Sequence, residues 1–409
     1  MIAAHPIGAV HSHRARPRLT TRLFLLAAII PLVLMADPTD QALGLSTTQQ
    51  FIPVAIALLA GLFSVATGLK AQGGLTWQDF AFSLVILMMV LGGVGTVLQT
   101  GDLTDSFARL SFIALIFFPF RILASQPDEL HWFLRRFSVW IVGVSILMSL
   151  QLIYWQVVGP FFEPRRSGIY HIFHEEVFLL PVAVMIVHLS KHRSACLRAA
   201  AILLLLAGTL FSFKNTGFLV FVLAALLLFC TASTRDTKMS RKFTMIRAIV
   251  GFYAVLAVAA LLVLLPFFRD QLPGGSTLVR FYTYGLRWEQ FLDAPLFGFG
   301  FWGTPLISVP NTNLIIPSHS DFLDLLAFGG LVGALAYLLP LISFLLSFRR
   351  LDRLQEERVA ALAIYTLVAA IHVVWLFNPV WLQPKMGVLL WAGLGLLAGI
   401  HSRARHGSP

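Results

Sequence analysis

Long apolar segments follow one another along the chain, separated by short polar connections. Most segments are close to the roughly 20 residues that an α-helix needs to cross the hydrocarbon core of a bilayer. Their residues do not alternate between apolar and polar, so the pattern excludes a barrel of membrane-spanning strands. The pattern predicts about twelve spans, at residues 21–37, 51–69, 78–99, 106–124, 137–158, 175–190, 197–213, 216–234, 245–268, 321–347, 359–378 and 384–401.

One polar stretch interrupts this pattern, the loop at 269–318, and the next span opens with Ser318-His319-Ser320-Asp321. The loop is too short to bury a core of its own, so it is expected to pack on the helices. The apolar spacing of Leu278–Phe291 predicts a helix within it. The sequence therefore predicts an all-α, polytopic membrane bundle, with a single transmembrane domain at 21–401 that includes the loop, and short tails at 1–20 and 402–409.

The charge of the chain agrees with a membrane protein. Hydrophobic residues make up 58% and charged residues 12%, whereas a soluble domain has about 25% charged residues. The net charge of +11 could suggest nucleic acid, but most basic residues lie in alternate connections, as membrane topology requires. The positive-inside rule then places both termini in the cytoplasm and loop 269–318 outside, on the periplasmic side of a bacterial inner membrane. No nucleic-acid partner is expected.

Some basic residues fall on the side that this rule disfavours. They include Arg165, Arg166, Lys214, Arg280 and Arg287. Guanidinium and ammonium groups that face one aqueous pocket bind phosphate oxygens, and arginine does so with two parallel hydrogen bonds. The alternative is that these side chains reach lipid headgroups. Several clusters on one side favour an anion site.

His319 is the candidate proton acceptor, because a neutral imidazole can take a proton near pH 7. The alternative is a capping or interface residue at the start of a helix. His171 and His174 have the spacing of two metal ligands on one helix face, but no third ligand is evident, and we predict neither a metal nor another cofactor. Phosphate-binding glycine loops and nucleophile elbows are absent from the sequence.

The loop and the following span resemble the O-antigen ligase and polysaccharide polymerase superfamily. The resemblance rests on Arg280 with Tyr284 four residues later, on the turn Pro295-Leu296-Phe297-Gly298-Phe299-Gly300, and on the segment from Ser318 to Gly333. Family members have a Pro-Leu-x-Gly-x-Gly turn, and a His-led helix that contains Gly-Leu-x-Gly. These matches cover the loop and the next helix closely.

Three other positions bear on the resemblance. Arg165-Arg166-Ser167-Gly168 resembles the family's Arg-x-x-Gly segment. Lys214 stands where the family commonly has arginine, which keeps the charge and loses the two-pronged contact. Phe328 stands where the family often has glutamate.

The resemblance implies an architecture similar to the GT-C class of membrane glycosyltransferases and a metal-independent glycosyl transfer. The donor would be a glycan on undecaprenyl pyrophosphate, and the acceptor a saccharide or lipid A-core hydroxyl, in lipopolysaccharide O-antigen or exopolysaccharide biosynthesis. His319 and Arg280 would be catalytic, and Arg165, Arg166, Lys214 and Arg287 would bind the pyrophosphate. Other polysaccharide-assembly proteins would be partners.

Other functions remain open from the sequence. Within the superfamily, a polymerase uses a second lipid-linked repeat as acceptor, whereas a ligase uses a terminal acceptor. Outside it, many spans with cytoplasmic termini also fit a transporter or flippase of lipid-linked oligosaccharides, although few ionisable residues lie at mid-span. A third possibility is a scaffold without catalytic activity.

Overall fold

The computed structural model is mostly helical and describes residues 18–37, 51–67, 74–101, 106–157, 175–189, 194–212, 276–302, 305–309, 315–346, 358–381 and 383–406. Its α-helices are α1 Leu19–Met35, α2 Ile52–Ala66, α3 Trp77–Thr100, α4 Ser106–Ala114, α5 Phe117–Ala124, α6 Pro127–Val157, α7 Leu179–Leu189, α8 Ala195–Phe211, α9 Ser276–Asp293, α10 Asp321–Leu346, α11 Arg358–Trp375 and α12 Pro384–His406. A short 3-10 helix, Glu175–Phe178, precedes α7, and the strands β1 Ile307–Ser308 and β2 Ile315–Ile316 form an antiparallel pair.

Five helical segments are long and apolar enough to cross a membrane: Trp77–Thr100, Phe107–Ala124, Pro127–Val157, Asp321–Phe344 and Pro384–Arg403. Five shorter apolar helices accompany them within the described residues. These helices confirm an all-α membrane protein, and each lies at a predicted span. The predicted spans at 216–234 and 245–268 lie outside the described residues, so the number of twelve stays a prediction, as does the sidedness of the loop.

Helix α12 packs against α5 at close range. Gly395 and Gly399 are four residues apart and therefore lie on one face of α12. A Cβ atom at Gly395 would overlap the carbonyl oxygen of Phe117, and one at Gly399 would overlap the side chain of Ala124. Small residues at this spacing let two membrane helices approach and gain van der Waals contact. This pair forms part of the buried centre of the bundle.

A buried polar layer marks one end of the bundle. Arg121 at the end of α5 pairs with Asp79 in the first turn of α3, with Nε–Oδ1 at 2.8 Å and Nη2–Oδ2 at 3.2 Å. Thr76 caps α3, and its backbone N–H donates to the same Asp79 carboxylate at 2.8 Å. Gln78 donates to Ser343 near the end of α10 at 2.9 Å. These contacts hold α3, α5 and α10 in fixed register.

An aromatic cluster fills the centre around Tyr337 of α10. Its ring stacks on Trp375 at 5.6 Å and meets Trp381 and Trp391 edge-on. Its hydroxyl lies 3.0 Å from Nε2 of His372, whose Nδ1 lies 2.7 Å from the carbonyl oxygen of Val368. A histidine whose two nitrogens are both occupied by such contacts serves packing, and His372 gives no support to a carrier site at mid-span.

Helix α10 is interrupted at Gly330, where the turn Pro295–Gly300 is inserted beside it. Gly330 has φ 59° and ψ −165°, outside helical geometry. The interruption frees two amide N–H groups and two carbonyl groups of α10, and the turn provides partners for all four. The exchanged hydrogen bonds are Leu331 N to Pro295 O at 2.8 Å, Val332 N to Leu296 O at 3.0 Å, Phe299 N to Ala327 O at 2.9 Å and Gly300 N to Phe328 O at 2.9 Å.

The two glycines at this junction are required by both conformation and space. Gly298 has φ 66°, and a Cβ atom there would lie 2.5 Å from the carbonyl carbon of Phe328. A Cβ atom on Gly330 would lie 2.5 Å from the backbone nitrogen of Gly298. Gly298 belongs to the Pro-Leu-x-Gly-x-Gly turn and Gly330 to the following helix. The two glycines therefore form one backbone junction.

Candidate active site

Helix α9 lies alongside the start of α10 and runs in the same direction. The hydroxyl of Thr283 donates to the carbonyl oxygen of Ser318 at 2.9 Å, and that of Tyr284 donates to the carbonyl oxygen of His319 at 3.1 Å. One turn further along α9, Arg287 reaches Asp324 of α10. The predicted helix over 278–291 is thus confirmed within α9, and its register fixes the backbone on which His319 sits.

His319 occupies an unusual backbone position. Its φ is 60°, and among the described residues no other non-glycine residue has a positive φ. The next residue, Ser320, caps α10: its hydroxyl accepts from the N–H of Leu323 at 3.4 Å. The imidazole is half-buried, and its Nδ1 is a buried atom without a hydrogen-bond partner among the described residues. The imidazole thus retains hydrogen-bonding capacity that a substrate could use.

Arg280 lies on the exposed side of α9, close enough to act electrostatically on both His319 and Tyr284. Burial lowers the pKa of His319 below its ordinary value of 6.5, and the positive charge of Arg280 lowers it further. Burial raises the pKa of Tyr284 to about 12; the charge of Arg280 opposes this and that of Asp324 adds to it. At pH 7, therefore, the imidazole is held in its neutral form and the phenol remains a hydrogen-bond donor.

Arg287 takes a different place from Arg280, because it is only 2% exposed. Its Nε donates to Oδ1 of Asp324 at 2.7 Å, and its Nη1 to Oε1 of Gln290 at 2.8 Å. Its Nη2 donates to the carbonyl oxygen of Pro305, and its guanidinium lies 4.5 Å above the ring of Phe328. Arg287 therefore ties α9, α10 and the segment before β1 together beneath the site.

The structure brings together two of the predicted site residues, Arg280 and His319, and places Arg287 below them. The predicted phosphate ligands Arg165, Arg166 and Lys214 lie outside the described residues. His171 and His174 lie outside them too. Within the described ranges, no group of three or more His, Cys, Asp or Glu side chains could hold a metal ion.

Asp321 and Asp324 are two site residues that the sequence reasoning did not assign. Both lie in the first turn of α10, where the helix dipole favours negative charge. Asp324 pairs with Arg287, and Oδ2 of Asp321 accepts from the backbone N–H of Trp381 at 2.7 Å. The sequence did contain a signal for both residues, because they are carboxylates at the start of an apolar helix. A carboxylate that is buried there needs a hydrogen-bond or ion-pair partner.

The comparison with protein-family models matches residues 177–338 to the family described as O-antigen ligase. That stretch is an O-antigen ligase domain. It begins just before α7 and ends within α10, so it contains Lys214, α9 with Arg280, and His319. The resemblance drawn from the loop motifs is confirmed. A search of curated proteins found no match to the chain.

The O-antigen ligase domain gives the residues around His319 a common context. Its Pro-Leu-x-Gly-x-Gly turn is the segment that fills the interruption of α10, and its His-led helix is α10 itself. Tyr284, the aromatic residue four positions after Arg280, supports the His319 backbone. The motifs of the domain thus converge on one structural unit, formed by α9, the turn and the first half of α10. A multi-pass membrane protein with this domain has a role in polysaccharide assembly.

Proposed function

We propose that the protein is a glycosyltransferase that moves an undecaprenyl-pyrophosphate-linked glycan onto a sugar hydroxyl at the outer face of the bacterial inner membrane. The observation that carries the proposal is the position of Arg280 and His319. Both lie in the O-antigen ligase domain, on adjacent elements, and the charge of one acts on the imidazole of the other. An exposed cation beside a neutral imidazole suits a reaction that develops negative charge and releases a proton.

The proposed step is a displacement at the anomeric carbon of the donor sugar. The oxygen of the acceptor hydroxyl forms a bond to that carbon, while the bond from the carbon to the pyrophosphate oxygen breaks. His319 accepts the hydroxyl proton. Arg280, with Lys214 and with Arg165 or Arg166, stabilises the charge left on undecaprenyl pyrophosphate. All of these residues belong to the chain, and the step needs no metal.

Arg287 is assigned to positioning, because its donors already bind Asp324, Gln290 and Pro305. Binding pyrophosphate would require breaking the buried pair with Asp324, which leaves a buried carboxylate without its cation at a cost of about 3–5 kcal/mol. The proposal therefore retains Arg280, Arg165, Arg166 and Lys214 as the pyrophosphate ligands.

Arg280 and Arg287 lie on the same helix, and replacing each by glutamine is expected to have a different effect: loss of activity at Arg280 and loss of folded protein at Arg287. Arg280→Gln removes an exposed charge, so folded protein should remain at the wild-type amount while activity falls about 10²–10³-fold, as expected for one stabilising donor. Arg287→Gln breaks a buried network and should reduce the amount of folded protein. Membrane-fraction immunoblots and surface-polymer staining separate the two. Wild-type polymer from Arg280→Gln would contradict the proposed role.

Deletion of the gene tests the proposed function and separates its two forms. A ligase deletion is expected to accumulate long chains on undecaprenyl pyrophosphate, whereas a polymerase deletion is expected to leave single repeats. Mass spectrometry of extracted glycan lipids distinguishes these results, and the plasmid-borne wild-type gene is the control. Unchanged glycan lipids, together with altered glycan uptake in vesicles, would favour the transporter instead.

A further inference from the structure

The polarity of the exposed surface changes abruptly where α9 ends. The exposed side chains of α9 are mostly charged, with Arg280, Glu289 and Asp293, and include one large apolar residue in the last turn, Leu292. Directly after them the exposed side chains become large and apolar, with exposed fractions of 61% for Leu296, 66% for Phe297, 44% for Phe299 and 57% for Trp302. We call residues 295–302 the hook, because they are the segment inserted beside Gly330 of α10.

The depth of the hook in the bundle follows from the rise of two helices. Gln78 and Ser343 lie in the polar layer that marks one end of α3 and α10. Gly330 precedes Ser343 by 13 positions and Gly92 follows Gln78 by 14, which at about 1.5 Å per residue places both about 20 Å from that layer. Since the hydrocarbon core of a bilayer is about 30 Å thick, both glycines lie in the half of the core that is farther from that layer.

The hook touches both helices at this depth. Pro295 and Leu296 accept hydrogen bonds from α10 next to Gly330. On the other side, a Cβ atom on Gly92 of α3 would lie 2.8 Å from Cα of Phe301, and one on Gly95 would lie 3.6 Å from the ring of Trp302. Both helices therefore place the segment at the same distance from the polar layer, below the membrane surface.

Non-helical backbone is tolerated at membrane depth only where its polar groups are satisfied. In the hook, the carbonyl groups of Pro295 and Leu296 and the N–H groups of Phe299 and Gly300 bond to the interrupted ladder of α10, and the N–H of Gly298 bonds to Ala294. Its exposed side chains also continue the apolar surface of the two helices. That surface consists of Leu91, Val94 and Leu98 of α3, and Leu331 and Leu335 of α10.

We propose that residues 295–302 form a re-entrant segment whose Leu296, Phe297, Phe299 and Trp302 side chains insert into the hydrocarbon of one bilayer leaflet. The occupant of this surface is the acyl chains of the bilayer. The charged residues of α9 remain in water, so the membrane boundary passes close to Ala294. The segment anchors the Arg280 and His319 site at the membrane surface, and this inference holds whatever reaction the site performs.

Spin-label accessibility tests the proposal in reconstituted liposomes. Single cysteines would be placed by Phe297→Cys and Trp302→Cys in the full chain, after Cys196→Ser and Cys230→Ser remove the native thiols. Glu289→Cys provides an aqueous reference and Leu335→Cys a lipid-facing one; all four positions are exposed, so the label does not disturb the core. Oxygen partitions into hydrocarbon and a charge-neutral nickel chelate into water, so the ratio of their collision rates reports depth.

Residues 297 and 302 are expected to give an oxygen-to-nickel ratio several-fold above that of residue 289 and close to that of residue 335. A ratio at 297 and 302 equal to that of 289 would overturn the proposal, since the hook would then lie in water. An aqueous ratio at 335 would overturn it as well, because the depth argument depends on α10 crossing the bilayer.

Discussion

The variant His319→Asn is expected to lose glycosyl transfer by about 10²–10⁴-fold, the usual contribution of a positioned general base. Asparagine is the informative replacement because His319 has φ 60°, and asparagine adopts this region far more readily than most residues. The variant therefore removes the imidazole and leaves the backbone, whereas His319→Ala would add backbone strain. The measurement is the rate of product formation by reconstituted protein with a lipid-linked glycan donor.

A control variant and a measurement of protein amount separate a loss of catalysis from a loss of folded protein. His131→Ala, at an exposed position of α6 outside the site, is expected to keep the wild-type rate. The His319→Asn protein should be recovered from membranes in the wild-type amount. Full activity in this variant would show that His319 takes no part in proton transfer, and would favour the scaffold or a transporter.

The pH profile gives His319 a second readout. Only the neutral imidazole accepts a proton, so activity is lost as pH falls through the pKa of His319. Burial and the charge of Arg280 both lower that pKa, which places the acidic limb of the wild-type profile below pH 6.5. Arg280→Gln removes the positive charge that lowers the pKa of His319. The acidic limb of the pH profile, measured on the remaining activity of this variant, should therefore move to higher pH. A limb that stays in place would contradict the coupling.

The sequence predicted those parts of the fold that depend on local pattern. Apolar runs of bilayer length located α1 to α8 and α10 to α12, and the apolar spacing of Leu278–Phe291 located α9. The run at 106–124 forms two helices, α4 and α5, and α6 begins ten residues before the span predicted at 137–158. The positions of Arg280 and His319 followed from motif spacing. These features are encoded by residues close together in the chain, so no tertiary contact was needed to find them.

The remaining features depend on contacts between distant residues. Arg287 and Arg280 look alike in the sequence, and only the packing of α9 on α10 shows that Arg287 pairs with Asp324, 37 residues later. The interruption of α10 was equally hidden. Its sequence is continuous and apolar, and the break exists because the turn at Pro295–Gly300 supplies the missing hydrogen bonds. Periodicity alone describes such a segment as one uninterrupted helix.

The variant Gly330→Ala is expected to cause a severe loss of folded protein and, with it, of activity. At φ 59° and ψ −165° the backbone of Gly330 lies in a region that is essentially restricted to glycine, and another residue there costs on the order of 1–3 kcal/mol. The added Cβ atom would also lie 2.5 Å from the backbone nitrogen of Gly298. Because that neighbour is backbone, relief requires the turn to move away, which breaks the four hydrogen bonds of the junction.

The measurement is the thermal unfolding midpoint of the purified protein, together with the amount recovered from membranes. Gly143→Ala is the matched control, since a Cβ atom at this position of α6 meets nothing within 4 Å, and alanine favours a helix over glycine. Gly298→Ala should reproduce the Gly330→Ala defect, and the double variant should be little worse than either, because both act on one junction. A Gly330→Ala protein as stable as Gly143→Ala would show that α10 closes across the break without the turn.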